Sequence, residues 1–216
     1  MIDVVLPALN EAIALPAVLA ALPHGYRAIV VDNGSTDGSA EVARAAGAVV
    51  VYEPRAGYGA AVHAGVVTAT ADVVCVMDAD GSLDPAELPP LVDLVVSGSA
   101  DLVIGRRRAT EPGAWPWHAH VANRLVARRL SRRLGVTLHD IGPVRVFRRR
   151  ALLDLGVEDR RFGYPLETLV RAARAQWRIT EHDVSYGPRA VGSRSKVTGS
   201  ISGSVKAVRD FSRVMP

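Results

Sequence analysis

Val73-Val74-Cys75-Val76-Met77-Asp78-Ala79-Asp80-Gly81 is an apolar run that opens directly onto two carboxylates. Five apolar residues without alternation suit a strand buried on both faces. On an extended backbone residues i and i+2 share a face, so Asp78 and Asp80 are expected to point the same way, and small Ala79 and Gly81 leave them accessible. Two such carboxylates repel unless a cation lies between or near them. An oxygen-only donor set favours Mg²⁺ or Mn²⁺, which keeps positions open for substrate phosphates. Asp78 and Asp80 are therefore the candidate metal ligands. An Asp-x-Asp pair is also common in surface turns, so its meaning depends on what surrounds it.

The same strand-then-polar pattern recurs on either side. Strands are expected at Asp3–Leu6, Ala28–Val31, Ala48–Tyr52 and Leu102–Ile104 besides Val73–Met77. Helical periodicity marks Glu11–Ala21, Ser39–Ala46, Ala60–Thr70 and Pro85–Ser97. This order predicts an α/β domain whose mostly parallel sheet is flanked by helices on both faces. Ligands of such sheets bind beyond the carboxyl ends of the strands.

Each strand end then carries its own cluster. After the first, Pro7 ends the strand, and Asn10 and Glu11 stand at a helix start, where a helix cap is an equally good reading of Asn10. After the second, Asp32 can accept a hydrogen bond from a nucleobase, while Ser35, Thr36 and Asp37 suit a cap for the next helix. Arg55-Ala56-Gly57-Tyr58-Gly59 precedes the third helix as an anion-friendly turn. It is not a dinucleotide fingerprint, because Val62 stands where a third glycine belongs.

Past Arg106-Arg107-Arg108 the pattern changes. Glu111–Trp117 reads as a loop, His118–Leu134 as a basic helix with Gly135 as its C-cap, and Arg145–Phe147 as a strand. A helix at Pro165–Ala175 and a strand at Arg178–Val184 follow. Gly187–Gly203, rich in Gly, Ser and basic residues, reads as a mobile loop. One domain over residues 1–216 is expected, with 1–105 as the nucleotide-sugar half and 106–216 as an acceptor-side extension of the same sheet.

The 216 residues are 49% hydrophobic and 22% charged, ordinary for a soluble globular protein able to bury a substantial core. A net charge of +4 suits anionic partners. The few aromatics, 5% of the chain, offer no stacking platform for nucleic acid. Cys75 reads as a small buried hydrophobe. No secretory leader or membrane-spanning run is expected, which predicts a cytoplasmic protein, peripheral at most to the inner membrane face. Arg124, Arg128 and Arg132 recur at i+4 beside Val126, Leu130 and Leu134, as on an interfacial helix or on a solvated basic face.

Pro7-Ala8-Leu9-Asn10-Glu11, Val31-Asp32-Asn33-Gly34-Ser35-Thr36-Asp37, Gly57-Tyr58-Gly59 and Asp78-Ala79-Asp80 together resemble family 2 glycosyltransferases of GT-A fold. The resemblance implies that the first two segments line a nucleoside pocket, with Pro7, Asn10, Glu11, Asp32, Gly57 and Asp78 on the donor nucleotide. It also implies that Asp78 and Asp80 hold metal and diphosphate. Asp140-Ile141-Gly142-Pro143-Val144-Arg145, Phe162-Gly163-Tyr164-Pro165-Leu166-Glu167 and Gly192-Ser193-Arg194-Ser195-Lys196 after Arg189 resemble polyprenyl-phosphate glycosyltransferases of the dolichol-phosphate mannose synthase type. That implies hexose transfer from a UDP- or GDP-sugar to a phosphate-bearing, polyprenyl acceptor. Arg145, Arg189, Arg194, Ser195 and Lys196 would bind phosphates, and Asp80, Arg145, Glu167 and Asp140 are the catalytic candidates. Asn33 stands where a second Asp is usual, Thr168 follows Glu167, and no Gln-x-x-Arg-Trp motif occurs. A phosphate acceptor agrees with the missing base, because an ionised phosphate oxygen attacks without deprotonation. The alternatives are a soluble acceptor with Glu167 or Asp140 as base, a sugar nucleotidyltransferase, or a non-catalytic nucleotide-binding module.

Overall fold

A computed structural model describes residues 1–190, so the expectations for Arg194, Ser195, Lys196 and most of the Gly187–Gly203 loop lie outside the described residues. The strands are β1 (Ile2–Ala8), β2 (Tyr26–Asp32), β3 (Val49–Tyr52), β4 (Val73–Val76), β5 (Leu102–Ala109), β6 (Val144–Arg148) and β7 (Ile179–Tyr186). The helices are α1 (Leu15–Ala20), α2 (Ser39–Ala45), α3 (Tyr58–Thr68), α4 (Leu88–Val96), α5 (Trp117–Leu134), α6 (Arg149–Asp154) and α7 (Tyr164–Arg174).

Among the described residues one seven-stranded sheet runs in the order β3-β2-β1-β4-β6-β5-β7. β1, β2, β3 and β4 are mutually parallel where they pair, as are β5 and β7. β6 is antiparallel to both neighbours and fills the space between β4 and β5. Period-two alternation divides the core. Val4, Leu6, Val30, Val73 and Cys75 face α1, α2 and α4. Val5, Ile29, Val31, Val74 and Val76 face α3, α5, α6 and α7. Both faces are therefore covered, as unalternating strands require.

Two sequence expectations change. Pro7 lies inside β1, opposite Val31, rather than ending it. The ladder to β4 closes with the Met77 N–H on the Val5 carbonyl, before the N–H that Pro7 lacks is needed. The first helix begins at Leu15, because Asn10 adopts a left-handed backbone (φ 57°) and turns the chain first.

The expected anion turn at Gly57 and Gly59 is also corrected. The Gly59 and Ala60 N–H groups donate to the Arg161 and Arg160 carbonyls, and the Gly57 N–H donates to Asn33 Oδ1. These amides dock the 160–161 backbone rather than face a ligand. A Cβ on Gly59 would lie 2.6 Å from Tyr164 Cβ and 2.8 Å from the Arg160 carbonyl carbon. Gly59→Ala is therefore expected to cost about 1–3 kcal/mol through forced backbone shifts, read as a lower denaturation midpoint at unchanged slope.

Candidate active site

The carboxyl ends of β1, β2 and β4 lie at one edge of the sheet, and side chains join the first two there. Ser35 Oγ accepts from the Asn10 N–H, Ser39 Oγ from the Glu11 N–H, and Asp37 from the Ala12 N–H. Asn10 in turn accepts from the Thr36 N–H. The turn after β1 is thus built on the loop after β2, and Asp37 serves that loop. Asp32 is buried and accepts from the Ser35 N–H at 3.0 Å with one oxygen. Asn33 does what an Asp could not: its amide donates to the Glu53 and Arg55 carbonyls while its oxygen accepts from Gly57.

β4 delivers Asp78 and Asp80 to the same edge. Asp80 is buried; one oxygen accepts from the Ser82 N–H and hydroxyl, and the other pairs with Arg189 Nε at 2.8 Å. The Ala190 N–H donates to the Asp80 carbonyl and the Gly187 N–H to the Ser82 carbonyl, so the segment after β7 lies along residues 80–82. Gly81 makes this possible with φ 79°, a conformation that favours glycine. Burial, then the Asp80 charge, push the Asp78 carboxyl up to about 7 against the pull of Arg107 and Arg189. An oxygen pair so short of positive charge fits a hard divalent cation, and the Arg189 guanidinium already supplies part of that charge.

Two more arginines act on Asp78. Arg145 is buried and donates only to carbonyls, those of Gly142, Pro165 and Ile141, and burial pulls it down to about 10. Among the described residues no carboxylate is bonded to it, and it lies beside the half-buried Tyr58, whose phenol proton the loss of solvent retains. Arg107 forks onto Asp140 with Nε and Nη2 at 2.9 and 2.8 Å and stacks 3.8 Å from the Trp115 ring centroid. Within the run of three, only strand alternation separates it. Arg106 and Arg108 both pair with Asp183 on the neighbouring strand, whereas Arg107 turns toward the site. Sequence reasoning did not single it out.

The two candidate bases are held otherwise. Burial alone would raise the Asp140 carboxyl, yet Arg107 and the N–H groups of Arg107 and Gly142 hold it below the usual range. Glu167, also raised by burial, is lowered overall by the Asp159 and Glu158 N–H groups and by Arg171 at 2.6 Å. Asp140 positions Arg107, and Glu167 ties down the loop before α7. Glu167 lies in the first turn of that helix, which begins at Tyr164.

Residues 3–156 match the family model described as Glycosyl transferase family 2. A Mycobacterium tuberculosis protein named "Uncharacterized glycosyltransferase" is 59% identical over 99% of this chain and 97% of its own. The polyprenol monophosphomannose synthase of Mycolicibacterium smegmatis is 33% identical over 91% of this chain and 81% of its own. Among solved structures, glucosyl-3-phosphoglycerate synthase from Mycobacterium tuberculosis in complex with Mn²⁺, uridine-diphosphate and glucosyl-3-phosphoglycerate superposes with a TM-score of 0.76. That pair is 25% identical, over 99% of this chain and 78% of the other.

Proposed function

Because this chain belongs to glycosyl transferase family 2, we propose that it transfers a hexose from a nucleoside-diphosphate sugar to a phosphate-bearing acceptor, the phosphate of a polyprenyl lipid. The observation that supports this reading is the Arg189–Asp80 ion pair, which brings a cationic side chain to the carboxylate pair at the end of β4. Asp78 and Asp80 would hold Mg²⁺ or Mn²⁺, which when bound would neutralise charge on the leaving diphosphate. Pro7, Asn10, Glu11 and Asp32 line the nucleoside side, where Asp32 has an oxygen beyond the one bonded to Ser35 for a base N–H. Arg189 turns from Asp80 to the diphosphate, and Arg145 presents its charge to an acceptor phosphate. A phosphate oxygen is already ionised, so inverting attack needs no base; the lowered Asp140 and Glu167 carboxyls, poor proton acceptors, agree with this.

A second reading, transfer to a soluble phosphorylated acid, is supported by the likeness to the phosphoglycerate-glucosylating enzyme. Incubating the protein with UDP- or GDP-hexoses, Mn²⁺ and either polyprenyl phosphate or phosphoglycerate, then partitioning the product between organic solvent and water, separates the two. Equal transfer to a polyprenol lacking phosphate would overturn both.

The raised Asp78 carboxyl also sets a pH dependence. Its folded-state value lies near 7 and its unfolded value near 4, so the metal-free fold loses stability from this group as pH rises through that window. Protons compete with metal below about 7. Mn²⁺ is therefore expected to bind more tightly at pH 8 than at pH 6, with a correspondingly larger thermal shift. Titration calorimetry at the two pH values checks this, and equal affinities would remove Asp78 from the metal site.

A further inference from the structure

α5 carries a face that no other described element covers. Ala127 and Leu130 are buried, and Val126 and Leu134 pack beside them on the sheet-facing side. The opposite face holds Trp117, Val121 and Leu125, which are 77, 50 and 64% exposed. At 3.6 residues per turn these three fall within about 100° of arc with Arg124, Arg128 and Arg132. The apolar residues occupy the first half of the helix and the arginines extend the same face through the second.

The arginines line an open cavity of about 520 Å³ together with Ser131, Val136 and His139, and no acidic side chain among the described residues borders it. Arg124, Arg128 and Arg132 make no ion pair or hydrogen bond among the described residues. Among the described residues no acidic partner stands on the side where three cations meet. The ring of His139 pairs with Glu181, outside this face.

We propose that this face of α5 rests on an anionic phospholipid bilayer, with Trp117, Val121 and Leu125 in the acyl boundary and the arginines on headgroup phosphates. The two halves of the face argue for one partner. A nucleic acid would suit the arginines, but it would leave Trp117 and Leu125 in water. A bilayer takes both, since interfacial helices combine buried aromatic and aliphatic side chains with cations at headgroup level. No helix among the described residues is long and apolar enough to cross a membrane, so α5 lies on the surface. Orientation favours the same conclusion. β5 ends at Ala109 on the edge where the candidate site lies, and Trp115, just ahead of α5, packs on Arg107. The apolar start of the helix would thereby hold the site mouth at the bilayer. The inference deepens the lipid-acceptor reading but stands on α5 alone, and it holds for a soluble acceptor as well.

Co-sedimentation of the full chain with phosphatidylcholine vesicles, with and without phosphatidylglycerol, tests it without reference to transfer activity. Binding is expected to require phosphatidylglycerol. The Arg124→Gln/Arg128→Gln/Arg132→Gln variant is expected to bind on the order of 100-fold more weakly, and the triple Lys variant like wild type. Trp117→Ala/Leu125→Ser is expected to weaken binding even at low salt, where charge attraction is strongest. These side chains are exposed, so the thermal midpoint should stay unchanged and exclude misfolding. Equal pelleting with pure phosphatidylcholine, wild-type binding by either the Gln or the Trp117/Leu125 variant, or binding to RNA but not to vesicles would overturn the proposal.

Discussion

Asp80→Asn is expected to lower sugar transfer by about 100-fold to 1,000-fold even with saturating Mn²⁺, the range seen when one preorganised electrostatic contact to a developing charge is removed. The substitution is isosteric, and its side-chain oxygen can still accept from the Ser82 N–H and hydroxyl, so the turn over residues 80–82 survives. Removing one of two adjacent carboxylates relieves the repulsion that, after burial, raises Asp78, and this offsets the loss of the charged pair with Arg189. The metal-free variant should therefore be as stable as wild type, within about 1 kcal/mol. Steady-state transfer and thermal melting read the two effects separately. Wild-type turnover by Asp80→Asn would sink the metal assignment, whereas loss of activity together with a large fall in melting temperature would mark a folding defect instead.

The second large effect is expected at Asp140, and it falls first on stability. Asp140→Ala removes the acceptor for Arg107 Nε, Nη2 and N–H and for the Gly142 N–H. It leaves a mostly buried guanidinium without its counter-charge, which typically costs about 3–5 kcal/mol. For a domain of this size that corresponds to a fall of roughly 6–20 °C in melting temperature. Adding Arg107→Met to Asp140→Ala should recover part of the loss, because the stranded charge is gone and the methionine can still lie on Trp115. Transfer activity should not recover with it, since Arg107 also acts on Asp78. A double variant no more stable than Asp140→Ala alone would contradict the paired-charge account.

Much of this arrangement is legible in the sequence, for physical reasons that can be named. β1, β2 and β4 announce themselves because strands buried on both faces must be largely apolar, and each is followed by residues that can satisfy a loop; β3, an edge strand with Val49 and Tyr52 exposed, is apolar nonetheless. Asp78-Ala79-Asp80-Gly81 stands out because two carboxylates and a left-handed glycine directly follow such a strand. The insertion of β6 between β4 and β5 is not legible. Val144–Arg148 has a strand's pattern, but nothing local says that Val74 and Leu102 will both lie opposite Phe147. Arg107 is hidden by Arg106 and Arg108, since a run of three identical residues does not mark which one turns inward. The roles of Asn33 and Gly59 depend on the backbone at residues 53–57 and 160–161, which only tertiary contact brings near. Glu167 misleads for the same reason. A carboxylate at a helix start looks available for proton transfer until the loop that consumes it is seen.

The Arg189–Asp80 pair has a thermodynamic corollary. A cation that arrives alone must displace the guanidinium from Asp80 and strand it, while a diphosphate that arrives alone meets two carboxylates. Arriving together, each receives what the other's entry sets free: the diphosphate takes Arg189, and the vacated carboxylate takes the metal. The two ligands should then bind with positive cooperativity, each raising the affinity of the other by the same factor. Arg189 is the element through which they communicate. Replacing it with an uncharged residue of similar length should leave two sites that fill more nearly independently, with tighter binding of metal in the absence of donor than the native protein allows.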